Sequence, residues 1–125
     1  MKAVRTLGAI LILAGAALAH HSTALYDLVH GTIISGEVTR FDWANPHVHI
    51  TLDVTGENNE IEHWGIELEN PHILGRNGWN KNSLKAGDTI TATGGRAKDG
   101  SFNLRAVYVD LPGGRRLPAV AQPAN

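Results

Sequence analysis

The sequence predicts a mainly β domain, a small five-stranded barrel with one short helix between its third and fourth strands, preceded by a signal peptide. Three observations carry this. Residues 46–54 and 61–68 alternate apolar and polar side chains with a period of two, the mark of half-buried strands. Asn70-Pro71 offers a helix cap followed by a proline at the first helical position. Residues 1–19 carry the flanks of an export signal.

Lys2 and Arg5 form a positive n-region, Leu7 to Leu18 is uncharged, and Ala17-Leu18-Ala19 is a small-x-small cleavage pattern. The apolar run is too short to span a bilayer, which takes about 20 residues. Cleavage after Ala19 is expected to leave a periplasmic or secreted chain with no stable membrane insertion. Without Lys2 and Arg5, nine basic side chains face twelve acidic ones, a net charge of -3. All seven histidines remain. That charge, with no basic run, argues against nucleic acid as a partner. No cysteine is present, so there is no disulfide framework and no thiolate ligand or nucleophile.

An N-terminal segment, 20–30, leads into the domain proper, 31–117. Thr32 to Trp43 is β-branched enough for a first strand, and Gly36 within it suggests a bulge or bend. Val48, Ile50, Leu52 and Val54 share one face of the second strand; His47, His49, Thr51 and Asp53 share the other. Gly56-Glu57-Asn58-Asn59 turns the chain into a third strand, where Trp64, Ile66 and Leu68 face the core. A helical turn from Asn70 ends at Gly75 or Gly78, with Trp79 as its packing anchor. Thr89 to Thr93 reads as a fourth strand, and Asp99-Gly100 turns into a fifth, Asn103 to Leu111. The Gly-, Pro- and Ala-rich end, 118–125, is expected to be a flexible tail. Three strands, a helix and two strands fit the oligonucleotide/oligosaccharide-binding (OB) architecture. A small β-sandwich is the rival. In so small a barrel Trp43, Trp64, Trp79 and Tyr108 belong to the core before they belong to a ligand cleft.

Two histidine groups are candidates for chemistry. Cleavage would make His20 the first residue and His21 the second, offering an α-amine, two rings and an amide nitrogen to one cation. Nitrogen-rich sites of this kind favour Cu(II). On the second strand, His47 and His49 leave the same face. One core-preserving hairpin register sets His47 opposite Glu67; the other sets His49 opposite Glu67 and His47 opposite Glu69. His63 projects from that face too, so His47, His49, His63 and Glu67 form a candidate copper or zinc shell. The bland alternative is a solvated face with cross-strand His–Glu pairs. His30 and His72 read as polar surface residues. No nucleophile elbow, P-loop or dinucleotide fingerprint is present.

The set His20-His21-Ser22, Tyr26-Asp27, Trp43-x-Asn45-Pro46-His47, Glu67-x-x-x-Pro71, Gly78-Trp79, Ser83-Leu84-Lys85-x-Gly87-Asp88 and Lys98-Asp99-Gly100 resembles a secreted bacterial family of small single-domain proteins of unknown function. The resemblance implies export and one OB-like barrel, and it carries over no catalytic residue. Three functions follow as expectations. The first is a non-enzymatic accessory protein binding Cu(II) or Zn(II) through these histidines. The second is a metal-free module holding a small ligand or a periplasmic partner protein in the barrel groove. The third, a metal-dependent enzyme, would need an open coordination position.

Overall fold

The computed structural model describes residues 23–124. Within these residues the elements follow in the order β1 (Tyr26–Asp42), β2 (His49–Thr55), β3 (Ile61–Glu67), α1 (Pro71–Arg76), β4 (Thr89–Ala97), β5 (Asn103–Asp110) and β6 (Arg116–Pro118). Pairing runs β3-β2-β1-β4-β5-β6, and β3 also pairs with β5. That last contact is parallel and closes five strands into a barrel-like ring; the other pairings are antiparallel. The mainly β class and the single helix between β3 and β4 are as the sequence predicts. The sixth strand is an addition to it. Among the described residues, no helix is long and apolar enough to cross a membrane.

The ring encloses the inward faces of the alternating strands. Val38, Ile50, Leu52, Ile66, Ile90, Leu104 and Val109 are buried there, and Val48, Leu68 and Leu74 extend the core toward α1. Ile50↔Ile66 and Leu52↔Trp64 are cross-strand partners, so the hairpin takes the register that sets His49 opposite Glu67. Trp64 and Trp79 are buried core residues, while Trp43 packs against the core only in part.

Asn70 caps α1 through its side-chain oxygen, which accepts from the Ile73 N–H at 2.9 Å. Pro71 follows at the start, where no backbone N–H is missed. The helix stops at Asn77, and Gly78 takes the positive φ of 95° that a Cβ would oppose.

Three local features depart from the sequence reading. The bulge expected at Gly36 lies instead between Val38 and Arg40. Gly36 is a close crossing: a Cβ there would meet the Asp53 carbonyl and the Val54 side chain. Strand β4 runs four residues past Thr93, because Gly94 and Gly95 leave room for the Arg105 and Asp27 backbone carbonyls. Residues 118–120, expected to open the flexible tail, are instead anchored. Leu117 and Ala119 are buried, the Ala119 backbone bonds Glu69 and Val107, and the Trp79 indole donates to the Pro118 carbonyl at 2.9 Å.

β1 also begins earlier than expected, so Tyr26 to His30 belong to the strand rather than to a leading segment. Its ladder with β4 breaks between Asp27 and Gly31, and Leu28, Val29 and His30 form an outward bulge. Asp27 holds that bulge: its Oδ1 accepts from the Val29 and His30 N–H groups, and its Oδ2 meets the His30 ring. The His30 backbone N–H, then its ring, keep the Asp27 carboxyl below the ordinary carboxylate range.

Candidate functional site

On the outer face of the ring, register brings charge together. The β2–β3 ladder sets His49 beside Glu67, the parallel β3–β5 ladder sets Arg105 on the other side of Glu67, and β4 presents Gly95 next to Arg105. Gly95 has no side chain, so the first residues of β1 cross above it and lay Tyr26 over the group.

Arg105 is the hub. It is only 4% exposed, yet it lies on a polar face. Its Nη1 donates to Glu67 Oε1 at 2.8 Å and to the Leu68 carbonyl at 2.9 Å, and its Nη2 donates to Glu69 Oε1 at 2.7 Å. The His47 ring meets the same Glu67 Oε1 at 3.0 Å. The Tyr26 hydroxyl donates to Glu67 Oε2 at 3.2 Å. Burial first, and then the Glu67 charge and hydrogen bond, push the Tyr26 hydroxyl up from 10.0 to about 12. Both Glu67 oxygens therefore already have protein partners. Chemically this is a latch joining β1, β3 and β5, in which every charge faces an opposite one.

The four strand residues expected to share a metal separate into two places. His47 and Glu67 are in contact, and His49 is an exposed neighbour of Glu67. His63 instead pairs with Asp53, its Nδ1 lying 2.6 Å from Oδ1. Four residues at a strand rise of about 3.3 Å put it about 13 Å from Glu67 along β3. Among the described residues, no group of three or more His, Asp or Glu side chains is placed to hold a metal ion. His20 and His21 lie outside the described residues.

A second feature is a groove of about 680 Å³ at the hairpin end of the ring. It lies between Ile33 and Ile34 of β1, the β2–β3 turn, Arg96 of β4 and Phe102 of the β4–β5 connection. Ile33, Ile61 and Phe102 open onto it with 69%, 54% and 41% of their surface exposed. Phe102 stacks on Trp64 with centroids 5.3 Å apart, and the Arg96 guanidinium lies over both rings at 5.1 and 5.4 Å. Arg96 also donates to the Ser101 and Gly100 carbonyls, and Glu62 accepts from the Trp64 indole at 2.9 Å.

The sequence missed Arg105 and the groove. Glu69 enters the sequence reading only as a register partner of His47; the observed register is that one, yet the Glu69 side chain pairs with Arg105 and His47 meets Glu67. Arg105 gave no signal, because an arginine on the polar face of a strand reads as solvated until another segment is known to cover it.

The family of unknown function DUF6152 matches residues 9–104. No curated protein and no solved structure matches the chain.

Proposed function

The chain belongs to a family of unknown function, DUF6152, and from that premise we propose that it is an exported, non-enzymatic and metal-free binding module. It holds a small ligand or a segment of a periplasmic partner in the groove at the hairpin end of the ring. The observation that carries this is the convergence of three exposed apolar side chains, Ile33, Ile61 and Phe102, on one concave surface. Apolar groups left in water around a concavity mark an interaction site more than a stability feature. The latch around Glu67 has the opposite character, since its polar atoms are already partnered. Export rests on the flanks of residues 1–19, and a net charge of -3 after cleavage disfavours nucleic acid.

The test is amide NMR on the processed protein, titrated with separate pools of short peptides and neutral oligosaccharides. Shifts concentrated on Ile33, Thr55 to Ile61, Arg96 and Phe102 are expected from at least one pool. Shifts centred on the Glu67 face, or no shifts from any pool, would refute the proposal.

A second reading rests on His20-His21 alone. Once processed, the terminus would chelate Cu(II) through its α-amine, ring and amide nitrogens. Calorimetry with Cu(II) on the processed chain, beside a version carrying one extra N-terminal residue, decides it. Submicromolar binding lost in the extended version supports a terminal site, and equal binding by both removes it.

A further inference from the structure

The groove has a backbone wall as well as a side-chain lining. β1 is paired with β4 from Gly31 to Glu37, but β2 joins its other edge only from Glu37 onward. Among the described residues, no strand pairs with that second edge between Gly31 and Ser35, while at Gly36 the Asp53 carbonyl and the Val54 side chain already lie close. β2 turns back at Gly56–Glu60 instead of continuing along β1. β1 thus offers about 16 Å of unpaired edge beyond β2, at about 3.3 Å per residue. Unpaired edges carry alternating N–H and C=O groups and are templates for another strand.

This edge is bounded by the exposed side chains of the groove. Ile33 projects from the outer face of β1, opposite Thr93 in the ladder, and Ile61 and Phe102 face the same concavity. The rim is acidic. Glu57 and Glu60 are exposed at the turn, and neither side chain forms an ion pair among the described residues. The nearby cation, Arg96, is engaged by two carbonyls and two aromatic rings. The charge left for a visitor to meet is therefore negative.

We propose that the open edge of β1 receives an extended partner segment by strand addition, and that this segment alternates apolar with basic side chains. Main-chain pairing along Gly31–Ser35 supplies affinity, and alternate side chains supply selectivity. Apolar residues of the visitor cover Ile33, Ile61 and Phe102, and its Lys or Arg residues meet Glu57 and Glu60. This rests on the binding-module reading above and narrows it to one ligand class.

The experiment uses two fluorescein-labelled nine-residue peptides, one alternating Val and Lys and the other alternating Val and Glu, with cellohexaose as a third probe. Fluorescence anisotropy measures peptide binding, and amide hydrogen exchange follows Gly31 to Ser35. The Lys peptide is expected to bind about tenfold more tightly than the Glu peptide at low salt, as two exposed ion pairs allow. Its binding should slow exchange at the β1 edge. The double variant Glu57→Lys/Glu60→Lys, altered only in an exposed turn, should reverse the peptide preference. Equal binding of the two peptides, or binding without added protection of β1, overturns the proposal. If cellohexaose shifts the groove resonances and neither peptide binds, strand addition fails while the binding-module reading stands. If no probe perturbs the groove, both fail.

Discussion

Replacing Arg105 by Met should cost about 3 kcal/mol of stability. Removing one member of a buried ion pair costs about 3–5 kcal/mol, because the partner keeps its charge without compensation. Here two carboxylates and the Leu68 carbonyl lose a donor at once. Two circumstances place the value at the lower end. The Glu67 and Glu69 side chains retain 15% and 21% exposure, so water screens part of the loss. Glu67 also keeps the His47 ring and the Tyr26 hydroxyl. For a domain of this size a loss of 3 kcal/mol lowers the melting midpoint by about 12–24 °C. Urea unfolding of the processed protein measures the change, with an unaltered m-value as evidence that the unfolded state is the same. Adding Glu67→Gln and Glu69→Gln to Arg105→Met should recover most of the loss, since no buried charge is then left alone. A loss below about 1 kcal/mol, or simple additivity of the three changes, would refute the reasoning, because that is how solvated surface pairs behave.

Tyr26 makes stability sensitive to alkali. The unfolded hydroxyl ionises near 10 and the folded one at about 12, so the contribution is complete below pH 10 and disappears as pH rises through about 12. Urea midpoints at pH 9 and pH 11 should differ, and Tyr26→Phe should reduce that difference; an unchanged difference contradicts the assignment. Gly94→Ala drives a Cβ into the Arg105 carbonyl and should cost about 1–3 kcal/mol or more, seen as a lower melting temperature by circular dichroism. Ending the chain after Leu117 removes the acceptors of the Trp79 and Asn77 side chains and the Ala119 backbone pairs. That should lower stability by at least about 2 kcal/mol. Ending it after Val120 removes, among the described residues, only the exposed 121–124 and should change the urea midpoint by less than about 0.5 kcal/mol equivalent.

What the sequence made legible was local. Period-two alternation located β2 and β3 because each has one face in the core and one in water. The Asn70 cap located α1 because a side-chain oxygen three residues before an unpaired N–H is a self-contained signal. Two registers survived for the hairpin, and only packing selected between them. Long-range features left no local trace. The burial of Arg105 depends on β3 and β5 running side by side and on Asp27 and Leu28 passing over Gly95. β6 has three residues, one of them proline, inside a segment whose composition suits a loose end. The groove exists because β2 turns back while β1 continues, a difference in strand length visible only once they are paired. The candidate metal shell rests on shared faces alone, and a shared face says nothing about distance along the strand.

The anchored segment 118–120 has a consequence for how the domain comes apart. Ala119 is tied to Glu69 and Val107, and its neighbour Pro118 receives the Trp79 indole. The segment is therefore a wedge set between the helix region and β5. Anything that pries it loose strips partners from both sides at once while the ladders of the five-strand ring stay paired. A protease or a pulling force acting there would meet the seam of the domain before its core.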